Sequence, residues 1–435
     1  MISRAGARQL STGSCLRQGR TVQRACVYRG TAEATAEMTG TMRSGVNEVT
    51  EWIEQHVRRL DSERVPLADA AGRVAAAAVA AVVRVPPADR AAADGVALRA
   101  DETIGASGYN PLELRLVSSG APPARGSAVI IAAGDRLPAG TDAVAALDQV
   151  QIGVDGRCEI AEPVGSGNLV ERAGTHVEAG APLVGSGQRL DAYAIGALAA
   201  SGVDALRVVR RPLVRLVLTG RALAEPGRPL AAGGVYDADG ALLEALIARD
   251  GGQAGPARWT AGDRAALAAA LVDDGADIVL VVGGTGPGAD DASAATLASV
   301  GELAIHGVAV RQCETAGVGV VPPATSVFLL PGAPAACLWA YELFAGCAVR
   351  RAGGRPAALP FRARPMALDR KLVSAIGMVD ICPVVCRAEG RIEPITPFAE
   401  AGLAAALRAD GIVIVPEGSE GYARDSEVLV YLFGE

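Results

Sequence analysis

The chain has 435 residues, half of them hydrophobic and only 3% aromatic, with a formal net charge of −7. That length exceeds one hydrophobic core and calls for roughly two to four domains. No apolar run reaches the ~18 residues of a membrane span, and an acidic body without a Lys/Arg cluster argues against nucleic acid as a partner.

Residues 1–43 carry seven arginines against two acids, Glu33 and Glu37, so this segment stands at +5 and the remainder at −12. The segment lacks hydrophobic periodicity. Its acid-poor composition resembles a transit peptide, but it is read as a disordered extension, or as sequence upstream of a start at Met38 or Met42. Eight cysteines, none in a C-x-x-C pair, sit mostly in apolar runs. They read as buried free thiols in a reducing, cytoplasmic compartment. With only His56, His176 and His306 available, a zinc site is not expected.

Folded sequence begins near Ser44, an N-cap residue for a helix through Val46, Val49, Trp52, Ile53 and Val57. After the extended Val85-Pro86-Pro87 segment and the Asp94-Gly95 turn, short strands are predicted at 96–99, 112–117, 127–132 and 142–147, a small β-domain over 86–146. Residues 44–85 and 147–211, with a helix near 191–201, form an expected linker domain. From 212 to 352 the pattern alternates. Strands are expected at 213–218, 277–282, 306–311 and 326–330, and helices at 239–250, 262–274, 291–300 and 333–348. Such alternation predicts an α/β protein with a doubly wound parallel sheet. Residues 353–435 return to short strands, a C-terminal β-domain.

The centre of this pattern is Asp277 to Asp291. A buried apolar strand breaks into Gly283-Gly284-Thr285-Gly286-Pro287-Gly288, and a helix starts near Ser293. Glycines leave backbone N–H groups uncovered, and a helix N-terminus adds its dipole, a combination that binds anions. Asp290 and Asp291 close the loop, and carboxylates beside a phosphate site imply a divalent cation between them. The same residues also suit a solvated loop whose aspartates cap the helix. Two more glycine turns, Thr219-Gly220 and Leu330-Pro331-Gly332-Ala333-Pro334, fall at the carboxyl ends of strands, where doubly wound sheets bind their ligands.

In order and spacing these motifs resemble the molybdopterin molybdotransferases, of the MoeA and gephyrin E-domain type, over about residues 44–435. Pro86-Pro87…Asp89…Asp94-Gly95 is similar to the family's Pro-Pro-Phe-Asp-Asn-Ser…Met-Asp-Gly-Tyr-Ala signature, and Leu137-Pro-Ala-Gly-Thr-Asp142-Ala-Val144 to its Pro-x-Gly-Ala-Asp-Ala-Val turn. Thr219-Gly220…Leu223…Glu225-Pro-Gly227 and Leu330 to Pro334 match two further motifs. The resemblance implies insertion of molybdate into adenylylated molybdopterin with release of AMP, aided by Mg2+. It also implies an elongated homodimer with the site between the sheet domain of one subunit and the small β-domain of the other, and a molybdoenzyme or a molybdopterin adenylyltransferase as protein partner. Asp94 and Asp291 would be catalytic, and Asp94, Asp290 and Asp291 would hold the metal. Thr219, Gly220, Gly283, Gly284, Thr285, Gly286, Gly288, Pro331, Gly332 and Pro334 would hold the pterin phosphate.

Several polar positions depart from the family. Arg221 and Ala222 replace two acids, and Glu314 falls where a lysine is usual. His176 replaces an acid, Ala133 a threonine and Ala333 an asparagine. The alternative reading is therefore a catalytically impaired relative that binds molybdopterin or mature cofactor as a carrier or insertion factor.

Overall fold

Four parallel stretches of backbone make the floor on which everything else is arranged. The computed structural model describes residues 43–434 apart from 119, 121, 221–222, 274 and 396–397. The N-terminal extension, Arg221 and Ala222 thus lie outside the described residues.

The central sheet runs, in spatial order, Gln253–Ala254 with Arg258–Trp259, Leu213–Leu218, Ile278–Val282, Thr325–Leu330, Gly317–Val321 and Glu302–His306. Pairing is parallel from the first edge to Thr325–Leu330 and antiparallel beyond it. Alternate residues of each parallel strand face opposite sides, as the two-residue period requires. Leu216, Leu218, Leu280, Val282 and Phe328 pack with helices Val46–His56, Asp239–Arg249 and the run from Pro334 to Ala352. Val217, Val279, Val281 and Val327 pack with Arg264–Val272 and Ser293–Val300 on the other face. Helices on both faces of a parallel strand set make the doubly wound arrangement that the βα alternation predicts.

One expected strand is displaced. Residues 306–311 do not form a ladder; the strand ends at His306, and Gly307 turns away at φ +96°. Val308 and Val310 instead make single bridges to Ser44 and Val379, buried between the first helix and the C-terminal domain. Ser44 is accordingly a bridge residue. The N-cap is Gly45, without a side-chain bond, and the Ser44 N–H donates to the Gly307 carbonyl at 3.0 Å.

The small β-domain has the four predicted strands, observed at Gly95–Leu98, Leu112–Leu116, Ser127–Ile131 and Ala143–Ala146. Its sheet also takes in Val150–Ile152 and Arg157–Ile160, past residue 146. The linker pairs Ser62–Pro66 with Ala205–Val209 and carries the helix Ala192–Ala200. The C-terminal domain closes a five-strand barrel of Arg362–Leu368, Arg391–Pro394, Asp380–Arg387, Gly411–Val415 and Glu427–Leu432. Among the described residues six cysteines are free, five of them buried, and no helix is long and apolar enough to cross a membrane.

Candidate functional site

The three glycine turns meet at the carboxyl ends of the parallel strands. The Thr219 N–H donates to the Val282 carbonyl at 3.0 Å, and the Gly283 N–H to the Leu330 carbonyl at 2.9 Å. These bonds continue the ladder one step past the strands and bring the turns into register. Gly283 has φ +87°, and a Cβ there would stand 2.5 Å from the Thr219 carbonyl oxygen. A Cβ on Gly332 would stand 3.1 Å from the Gly283 Cα. Backbone touches backbone across all three turns, and Gly283 leaves no room for a side chain.

Within the central loop, the Gly288 N–H donates to Asp291 Oδ2 at 3.0 Å, and the Ser293 hydroxyl donates to the Gly283 carbonyl at 2.8 Å. Thr285, though only 3% exposed, shares a 2.9 Å hydroxyl contact with Thr315, and its carbonyl lies 2.9 Å from His306 Nε2. The helix Ser293–Val300 has Ala292 as N-cap, without a side-chain bond. The loop aspartates therefore do not cap it; Asp291 folds the loop onto itself. Pro334 begins the helix after the third turn, where its missing N–H costs nothing.

Sequence reading misses two carboxylates here. Asp237 and Asp239 are both 7% exposed. Asp237 Oδ1 accepts from the Gly240 N–H at 2.9 Å, at the start of the helix Asp239–Arg249. Close packing fixes the pair against the end of the first parallel strand: a Cβ on Gly240 would meet Asp237 Oδ2 at 2.3 Å and Leu218 Cδ1 at 3.2 Å. Asp239 Oδ1 has no hydrogen-bond partner. Burial first, and then the neighbouring Asp237 charge, push the Asp239 carboxyl up to about 7; a hydrogen bond with the Cys337 thiol opposes them. Cys337 lies in the first turn of the helix that follows Pro331-Gly332, so the pair sits between the first and third glycine turns.

The remaining sequence candidates divide. Asp94 is exposed and its Oδ1 accepts from the Ala133 N–H at 2.7 Å, inside the small β-domain. Asp89 accepts from the Ala173 N–H at 2.8 Å and from Arg172 at 2.9 Å, bonds that hold its carboxyl below the usual range. Asp142 is lowered by a Ser166 hydroxyl and the Ala100 N–H. Both are turn-fixing groups. His176 lies in solvent, 3.0 Å from Glu171.

Residues 44–202 match the model of the MoeA N-terminal region (domain I and II), and residues 216–351 match a probable molybdopterin binding domain. A molybdopterin molybdenumtransferase 2 of Mycobacterium tuberculosis is 30% identical over 409 residues, covering 90% of this chain and 99% of that one. The chain belongs to the molybdopterin molybdotransferase family. A molybdopterin molybdenumtransferase of Nostoc is 28% identical over 326 residues, covering 72% of this chain and 74% of its own. The crystal structure of a molybdopterin biosynthesis MoeA protein from Pyrococcus horikosii superposes with a TM-score of 0.74 at 29% identity, over 90% of this chain and 100% of the other.

Glu314 is half-buried beside Thr315, and so lies next to the central loop through the Thr285 contact. A Mg2+ ion needs only one or two carboxylates when phosphates supply the other oxygens. The adjacent Asp290 and Asp291 at a glycine loop fit that donor set. Among the described residues no group of three or more His, Cys, Asp or Glu could hold a metal alone. Asp290 and Asp291 would hold the ion, which when bound neutralises charge on phosphate oxygens.

Proposed function

We propose that this chain is a molybdenum-cofactor biosynthesis protein that takes adenylylated molybdopterin and molybdate, inserts the metal at the dithiolene and releases AMP. The observation that carries the reading is the meeting of the Thr219, Gly283 and Gly332 turns at the carboxyl edge of the parallel strands. There, uncovered backbone N–H groups and helix N-termini suit a phosphate-bearing ligand. Thr219, Gly220, Gly284, Thr285, Gly286 and Gly288 line the phosphate, while Pro331, Gly332 and Pro334 set the opposite wall. Asp290 and Asp291 hold Mg2+ with the phosphates, and Asp239, with one unpartnered oxygen, hydrogen-bonds the ligand. Asp94 acts from the small β-domain of a second subunit in a homodimer.

A carrier that binds the pterin without turnover is the second reading. Glu314 favours it, since a carboxylate stands where an anion-binding cation is usual. Reconstitution with adenylylated molybdopterin, molybdate and Mg2+, following AMP and bound molybdenum together, separates the two. Molybdate-dependent AMP release that falls at least about 100-fold in Asp291→Asn is expected for the transferase. Tight pterin binding with no AMP release would leave the carrier, and no pterin binding would sink both.

A further inference from the structure

The helices that begin at the glycine turns end on the opposite edge of the sheet, and a second cavity opens there. Arg249 closes the helix Asp239–Arg249, and Arg350 lies in the last turn of Gly346–Ala352, where helix dipoles favour cations. The chain passes Gly251-Gly252 and re-enters the sheet beside Leu213, at the amino ends of the strands. A cavity of about 700 Å3 lies against these ends, walled by the linker domain and by residues 355–361.

Its charges do not cancel. Arg249 binds Glu342 through both terminal nitrogens, at 2.6 and 2.9 Å, and also binds Asp250. Arg350 donates to Asp250 at 2.8 Å. Two arginines and two buried carboxylates thus match. Arg355 and Arg189, which line the same cavity, have no carboxylate partner among the described residues. Arg355 donates only to the Arg249 and Gly72 carbonyls, at 2.8 Å each. Its own burial first, and then Arg189, hold its pKa below the usual guanidinium value. Arg350 is 3% exposed, yet its Nε has no hydrogen-bond partner. A buried guanidinium charge left without a carboxylate is costly, and its N–H groups donate to an anion that enters.

The rest of the lining is largely apolar. Pro356, Leu359, Pro360 and Phe361 belong to it, and the Arg249 guanidinium stands over the Phe361 ring, 5.4 Å from its centroid. Two unmatched arginines in one cavity with prolines, a leucine and a phenylalanine select a ligand that carries both charge and a flat apolar body. We infer that this cavity binds a small aromatic dianion, a phosphate or dicarboxylate carried on a ring, at a site separate from the glycine turns.

The test is calorimetric titration of the full chain with phenyl phosphate and, separately, with phthalate. Arg189 is exposed at the cavity mouth, so Arg189→Gln should leave the melting temperature unchanged. Saturable binding of one probe, weakened at least tenfold in Arg189→Gln, is the expected result, and the tighter probe identifies phosphate or dicarboxylate as the group. Inorganic phosphate and benzyl alcohol, each lacking one half of the ligand, should bind at least tenfold more weakly. An anion held at the glycine turns would not respond to Arg189, so binding that persists in Arg189→Gln overturns the proposal. No saturable binding of either probe, or equal binding of inorganic phosphate, overturns it as well.

Discussion

Ser293 Oγ donates a 2.8 Å hydrogen bond to the Gly283 carbonyl, tying the first residue of a helix to the first glycine of the loop before it. The bond is buried and closes the loop from beneath. In Ser293→Ala the carbonyl loses its side-chain partner in a dry site. The expected cost is about 1–2 kcal/mol, read from urea unfolding midpoints, with faster amide exchange at Gly284 to Gly288. An unchanged midpoint and unchanged exchange would show that the loop does not depend on this bond.

Two glycines of the same cluster should respond unequally to alanine. At Gly283 the backbone is left-handed, and the new Cβ meets the Thr219 carbonyl at 2.5 Å. Strain and clash together should cost roughly 3 kcal/mol. At Gly332 no positive φ is required and the nearest atom is 3.1 Å away, a contact relieved by a few tenths of an ångström. Roughly 1 kcal/mol is expected there. Equal losses in paired unfolding curves would mean that the turns are looser than their contacts indicate.

How far the sequence carries depends on the kind of signal. The run Ile278–Val282 is mostly β-branched and breaks into glycines at Gly283, so its strand and the turn beyond it are legible. So is the helix Asp239–Arg249, from its apolar spacing. The strand Gly317–Val321 is not, because its glycines read as loop residues. Their purpose lies in the neighbouring chain: a Cβ on Gly319 would stand 2.1 Å from the Glu302 carbonyl oxygen. Val308 and Val310 fail in the opposite sense. They are apolar and alternate like a strand, yet they fill a gap between elements distant in sequence. Asp237 and Asp239 stand in Asp-Ala-Asp-Gly, which reads as an exposed turn, and only the sheet edge buries them. Legible residues carry their reason locally; hidden ones take it from a partner.

A buried carboxylate ties the barrel to the segment that follows the sheet's edge strand. Asp380, 1% exposed, accepts from the Arg311 guanidinium and from the Ser374 hydroxyl, the latter at 2.5 Å. Asp380→Ala strands a half-buried arginine, and about 3 kcal/mol of stability should go with it. Because Arg311 precedes the segment that reaches the central loop, loss of the bond should also release Thr315. Limited proteolysis would show cleavage between residues 311 and 316 ahead of global unfolding; cleavage only on global unfolding would confine the ion pair to a local role.

Asp239 makes stability depend on pH in a direction opposite to a salt-bridged carboxylate. Its folded-state pKa stands at about 7, against 3.8 for the free side chain. Between these values the folded protein holds the proton and the unfolded chain does not. The contribution of this group is therefore most favourable below about pH 4, declines as pH rises, and is lost above about pH 7. Asp239→Asn removes the titration while keeping the shape. The stability difference between variant and parent should move in favour of the variant by about 3 kcal/mol from pH 4.5 to pH 8. Taking the difference cancels every other titrating group that the two proteins share. A difference that is flat with pH would mean that Asp239 stays ionised in the fold. One that moved toward the parent would mean that its charge is paired, and that the carboxylates at this edge of the sheet are already satisfied without a ligand.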